Sequence, residues 1–215
     1  MRIKHFSDNH SEFLKLTGVF DLICSTGDFL PNYSYHIKSP TVEQSLQLDW
    51  VRQNQINIKE MIKDKPFVFI NGNHDFLDSW LFEQELISFG IKAKDVTNKI
   101  VNIENTNFYG FPYIPETGGG WANELTTRAM QLAVNELIDV LKTNSIDVLL
   151  LHCPPTGTIS GQYSNKILAN ALNYLSDEHK PKLILAGHLH SDNGIKNEFG
   201  ILISNAATTQ HIIEL

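Results

Sequence analysis

Cysteine is scarce in this 215-residue chain: there are two, Cys24 and Cys153, each in or beside an apolar run. Two such thiols read as reduced, buried side chains, which excludes a disulfide-stapled scaffold and a thiolate metal cluster. Long apolar runs are missing too. None approaches the roughly 20 residues needed to span a bilayer, so no membrane partner is expected. The opening Met1-Arg2-Ile3-Lys4-His5-Phe6 alternates polar and apolar residues and leaves no room for a signal peptide, so the expected location is cytoplasmic. Positive charge is also thin: 17 Lys and Arg stand against 24 Asp and Glu, a net charge of −7. Binding along a nucleic acid rests on many basic residues that neutralise phosphates, so a long polyanion is not an expected partner and a small molecule is. No Pro/Ser-rich linker, charge block or internal repeat divides the chain, and the expectation is one domain over residues 1–215.

What is present is an alternation of strand-like and helix-like segments, the pattern of a layered α/β domain. Val42, Leu46, Val51, Ile58, Met61 and Ile62 predict one long helix over residues 41–63, between Pro40 and Pro66. Residues 79–89, closed by Gly90, predict a second helix, and residues 123–142 a third with Asn123 as its cap. Residues 99–103 and 107–111 read as paired strands, and two more strands are expected near 201–204 and 211–214.

Five short polar motifs each end an apolar, strand-like run. They are Asp8-Asn9-His10 after residues 2–6, Gly27-Asp28 after 22–24, Gly72-Asn73-His74-Asp75 after 67–70, His152 after 148–151, and Gly187-His188-Leu189-His190 after 183–186. Taken singly they are weak: Asp-x-His reads as a polar loop and Gly-Asp as a turn. Their succession, each at the carboxyl end of a strand, is the signal, because sites in open α/β sheets form at that edge. His188 and His190 flank one residue, so on an extended segment they share a face. His5, His36, His179 and His211 fall in no motif and read as structural or surface residues.

In order and spacing these motifs resemble the calcineurin-like metallophosphoesterase superfamily, over positions 8 to 190. The resemblance implies a four-layer αββα sandwich, two mixed β-sheets packed face to face with helices outside. It implies two divalent metals, Mn first and Fe, Zn or Ni as alternatives. Asp8, His10 and His190 would hold one, Asn73, His152 and His188 the other, and Asp28 would bridge them. His74 would face the leaving-group oxygen as general acid or hydrogen-bond donor, with Asp75 to orient it. The chemistry implied is attack of a metal-bridging hydroxide on phosphorus, without a covalent enzyme intermediate.

Departures narrow the subfamily. Where the protein Ser/Thr phosphatases of this superfamily carry an Asp and a phosphate-gripping Arg after Gly-Asp, this chain has Pro31 and Asn32. Pro31 also stands where purple acid phosphatases carry an iron-binding Tyr. The segment His152-Cys153-Pro154-Pro155-Thr156-Gly157 and the stretch Tyr109 to Tyr113 are similar to the small bacterial, phage and animal phosphodiesterases of the superfamily. Gly118-Gly119-Gly120-Trp121 reads as a mobile loop, with Trp121 or Tyr113 available to stack a base; a surface turn with Trp121 packed on the core is the plainer alternative. With few basic residues near the motifs, a singly charged phosphodiester is the expected substrate. A phosphomonoester, a single-stranded nucleic-acid end, and a non-enzymatic scaffold role are the alternatives.

Overall fold

The computed structural model describes residues 1–33, 39–156 and 164–215; His36 and Gly157 lie outside them. Two large mixed sheets pack face to face between layers of helix. The first sheet holds β1 (Arg2–Phe6), β2 (Leu22–Ser25), β3 (Phe67–Phe69), β4 (Ala93–Asp95) and β13 (Gln210–Glu214), in the order β13-β1-β2-β3-β4. The second holds β5 (Val101–Ile103), β6 (Thr106–Phe111), β9 (Val148–Leu151), β10 (Leu183–Ala186), β11 (Gly194–Glu198) and β12 (Ile201–Asn205), in the order β11-β12-β10-β9-β6-β5. Only β13, β11 and β5, each at an edge, run antiparallel to their neighbours. A short pair, β7 (Ile114–Pro115) and β8 (Glu124–Leu125), lies outside both sheets.

The inner strands β2, β3, β9 and β10 are covered on both faces, so they read as nearly continuous apolar runs. Ile3, Leu22, Cys24 and Val68 meet Phe108, Val148, Leu150 and Leu185 between the sheets. On the outer side of the first sheet, Phe6, Ile23, Phe67 and Phe69 pack under α1 (Pro40–Gln53), α2 (Gln55–Ile62) and α3 (Ser79–Ser88). On the outer side of the second, Leu149, Leu151 and Ile184 pack under α4 (Thr127–Thr143) and α5 (Lys166–Tyr174). No helix among the described residues is long and apolar enough to cross a membrane.

Two helix boundaries differ from the sequence expectation. The segment 41–63 is two helices broken at Asn54, whose side-chain amide donates to the Trp50 carbonyl at 2.9 Å and competes for the acceptor of the helical ladder. The third expected helix begins four residues late, at Thr127, with the Thr126 hydroxyl accepting from Ala129 N–H. Asn123 caps nothing. It adopts φ of 58° and donates to the Gly72 carbonyl, which joins its loop to a motif.

One polar chain crosses the apolar layer between the sheets. His5, fully buried, bonds through Nδ1 to Ser204 Oγ and through Nε2 to Thr26 Oγ1, both at 3.0 Å, and Ser204 Oγ also meets His211 Nδ1. Burial, and secondarily His211, hold the His5 pKa well below 6.5. The unfolded chain therefore binds a proton below pH 6.5 that the folded chain refuses. Stability is full above that pH and falls as pH drops, by about 1.4 kcal/mol per pH unit for one proton. His5→Gln is expected to flatten the fall by one proton, read from urea unfolding at pH 7, 6 and 5; unchanged slopes would show that folded His5 accepts the proton.

Candidate metal centre

Strands β1, β2 and β3 are parallel neighbours in one sheet, and β9 and β10 are parallel neighbours in the other. Their carboxyl ends open on one rim, and all five motifs follow them there. The loops are fastened together by backbone bonds: Asp8 N–H to the Gly27 carbonyl, His10 N–H to that of Asp28, and Gly187 N–H to that of His152. Fit is tight enough to explain two of the glycines. A Cβ at Gly72 would collide with Asp28 Oδ1 and His152, and one at Gly187 with Ser7 Oγ and Asp8 Oδ2.

The side chains converge through unusual backbone. Asp8, His10, Asp28 and His188 take positive φ of 56°, 41°, 53° and 66°. Left-handed conformation costs a residue with a Cβ about 1–2 kcal/mol, and such strain gathers at functional sites. The last motif is thus not the extended segment expected. His188 is left-handed and His190 opens a 3₁₀ turn, so a twist of the chain aims both imidazoles inward.

All seven residues singled out as ligands meet here. Asp8, His10 and His190 bring ligand atoms within 4.8 Å of one another, as do Asp8, Asp28 and His152. Asp28 Oδ2 lies 3.4 Å from His152 Nε2 and 3.9 Å from the Nε2 atoms of His10 and His74. Asn73 Oδ1 lies 2.8 Å from His152 Nε2 and 2.9 Å from His188 Nδ1. His190 Nε2 is 3.2 Å from Asp8 Oδ1.

These donors fit divalent metal. His152 Nδ1 donates to the Thr26 carbonyl at 2.7 Å, so Nε2 is the atom that faces two oxygens, Asn73 Oδ1 and Asp28 Oδ2. A nitrogen and two oxygens facing one another call for a proton or a metal cation between them, and the backbone acceptor on the far nitrogen is how metal-bound histidines are oriented. The protein's electrostatics register the same demand. Burial alone would lower the His152 pKa, yet the Asp28 charge overrides it and raises the pKa to about 9. Burial likewise opposes the Asp28 charge, but His152, His74 and His10 hold its carboxyl below the usual range. His188 is lowered to about 4, by burial and then by His152. Oxygen and imidazole donors suit borderline and hard ions. Buried Cys153 stands apart: burial raises its thiol well above the ordinary range, so it supplies no thiolate.

Two side chains outside the ligand set hold the rim together. Gln47, fully buried on α1, donates to the carbonyls of Pro31 (3.0 Å) and His74 (2.7 Å) and accepts from Phe76 and Leu77 N–H at 2.8 Å each. Asp75 accepts from the N–H groups of Gly72, Leu30 and Phe29. Its carboxylate is consumed there, which corrects the expectation that it orients the His74 ring. Burial, with the Asp28 charge behind it, pushes the Asp75 carboxyl up to about 6. The polar positions Glu43 and Gln47, four apart on the buried stripe that ends in Val51, were the sequence signal for such a fastening.

Of the aromatic residues singled out, Trp121 reaches the centre and Tyr113 does not. Trp121 packs on the His74 ring with centroids 4.3 Å apart. Its glycine run is not an open turn, because Glu124 accepts from the N–H groups of Thr117, Gly120 and Trp121. The Tyr113 hydroxyl accepts from Asn98, and its ring lines a separate cavity of about 450 Å³ with Tyr109, Phe111 and Leu132. The cleft over the centre, also about 450 Å³, is lined by Asp8, Asp28, His74, His188 and His190 with Thr117, Leu189 and Ser191. Thr117 and Ser191 carried no sequence signal.

An αββα sandwich with Asp, Asn and His side chains gathered at the carboxyl rim of both sheets defines a metal-dependent hydrolase. The chain belongs to the calcineurin-like phosphoesterases, whose family model matches residues 1–192. Among solved structures it is similar to one with a TM-score of 0.69 at 11% identity, covering 96% of this chain and 90% of that one. It is also similar to the protein TT1561 of Thermus thermophilus, with a TM-score of 0.56 at 14% identity over 96% and 88% of the two chains. A putative 5′-nucleotidase from Staphylococcus aureus, solved with alpha-ketoglutarate, gives 0.52 at 13% identity over 95% of this chain and 48% of that one. At these identities the likeness is one of fold. No curated protein matches the chain.

Proposed function

We propose that this chain hydrolyses phosphodiester bonds of small, nucleotide-like substrates with two divalent metals, manganese first, in the cytoplasm. Asp8, His10 and His190 would hold one ion and Asn73, His152 and His188 the second, with Asp28 shared by both. When bound, two such ions activate water and neutralise phosphoryl charge. The protein's own groups do the rest. Asp28 and Asn73 fix the spacing of the donors, His74 presents Nε2 to the leaving-group oxygen, and Trp121 beside it offers a face to the organic part of the substrate. Thr117 and Ser191 offer hydroxyls along the cleft.

The observation that carries the diester reading is the lining of the cleft, which among the described residues holds no Lys or Arg. A monoester brings two negative charges to be neutralised and a diester brings one, so a site without a cationic side chain favours the diester. The test restores Mn²⁺, Ni²⁺, Zn²⁺ or Mg²⁺ to metal-stripped protein and compares bis-p-nitrophenyl phosphate with p-nitrophenyl phosphate and 2′,3′-cyclic nucleotides. Metal-dependent cleavage is expected, with kcat/KM for the diesters higher by about tenfold, some 1.4 kcal/mol of transition-state preference. Faster cleavage of the monoester overturns the substrate reading.

A further inference from the structure

His74 has a partner that neither its motif nor its neighbour Asp75 provides. The side-chain nitrogen of Asn32 lies 2.7 Å from His74 Nδ1. An amide N–H can only donate, so Nδ1 accepts and the ring carries its proton on Nε2. That Nε2–H points the other way, to the side where Asp28 Oδ2 lies 3.9 Å off and where the cleft opens. We propose that Asn32 is a positioning residue that fixes the His74 ring and its Nε2–H tautomer, so that His74 meets the leaving oxygen as a ready hydrogen-bond donor.

The geometry has the marks of a built arrangement. The His74 backbone is held on both sides, its N–H donating to Asp28 Oδ1 at 2.7 Å and its carbonyl accepting from Gln47 at 2.7 Å. Gln47 also holds the Pro31 carbonyl, next to Asn32, so one buried amide sets the distance between the two partners. The ring has Trp121 on one side at 4.3 Å and the edge of His10 at 5.1 Å, which leaves χ2 little freedom. Packing restricts the tilt of the ring, and the Asn32 bond decides which nitrogen faces it and so which tautomer the ring holds. As the oxygen of the attacking water bonds to phosphorus and the bond to the leaving oxygen breaks, the electron pair of the broken bond stays on the leaving oxygen, to which the Nε2–H hydrogen-bonds. The proton remains on Nε2, and the departing group takes its own from water. Such a donor matters more the more charge the leaving oxygen gathers.

The inference rests on the role given to His74, so its test separates the two. Long-range ¹H–¹⁵N spectra of the zinc-loaded protein read the tautomer of His74 directly, assigned by its loss in His74→Ala. The parent is expected to show the Nε2–H form, and Asn32→Ala a mixture of both forms. Kinetics on two diesters add a second readout. Asn32→Ala is expected to lower kcat about tenfold on diphenyl phosphate and less on bis-p-nitrophenyl phosphate, with KM unchanged, the size seen when a supporting hydrogen bond is removed from a site residue. The double variant with His74→Ala is expected to lose no more than His74→Ala alone. Asn32→Ser, too short to reach the ring, serves if the alanine variant does not fold. An unchanged His74 spectrum, or equal losses on the two substrates, overturns the assignment of Asn32. If His74→Ala is as active as the parent on diphenyl phosphate, the role of His74 itself fails.

Discussion

Asp28→Asn is expected to lower kcat/KM on phosphodiesters at least about 10³-fold, some 4 kcal/mol of transition-state stabilisation, while the protein stays folded. Asn is the informative replacement here. Asp28 sits at φ of 53°, a conformation that Asn tolerates and Ala resists. Its Oδ1 accepts the His74 N–H, and an Asn oxygen can do the same. The change therefore removes the charge that His152, His10 and His74 share and little else. Calorimetric titration of Mn²⁺ into metal-stripped protein separates the possible causes. Loss of at least one binding event together with activity is the expected result. Full activity with one ion bound would show that Asp28 does not bridge, and the two-metal reading would fall.

Gln47→Leu is expected to destabilise the fold by about 3–5 kcal/mol although it preserves size and lies outside the ligand set. Four backbone groups lose their partner at once: the N–H groups of Phe76 and Leu77 and the carbonyls of Pro31 and His74. Each buried orphan costs about 1–3 kcal/mol, and the added apolar burial returns part of the total. For a domain of this size the midpoint of thermal unfolding should fall by roughly 6–20 °C. Because the two loops that Gln47 joins carry Asp28 and Asn73, metal affinity should weaken in step with stability. A shift under about 2 °C in scanning calorimetry would mean that water takes over the bonds, and the fastening role would be wrong.

How far the sequence reaches can be read from particular residues. Apolar runs place β2, β3, β9 and β10 to within a residue, because strands buried on both faces must be apolar, and the alternation of residues 2–6 places β1. Ala93–Asp95 and Gly194–Glu198 were not legible. An edge or very short strand is stabilised by the backbone of its neighbour, a partner that lies far along the chain. The break at Asn54 and the late start of α4 were hidden for a related reason: a side-chain amide or a tertiary bond outbid helix propensity there.

The same division runs through the site. By itself the sequence determined which residue types stand at the ends of which strands, and so the family, the ligand candidates and the class of chemistry, because strand order and chirality carry strand ends to a common edge. Only the tertiary structure decided how the candidates are used. It turned Asp75 inward to three backbone N–H groups and gave His74 to Asn32. It set Trp121 on the His74 ring and sent Tyr113 to a different cavity. Those outcomes depend on left-handed turns and on hydrogen bonds between segments tens of residues apart. A one-dimensional pattern carries neither, since both arise only when the two sheets are packed and the loops compete for the same few donors and acceptors.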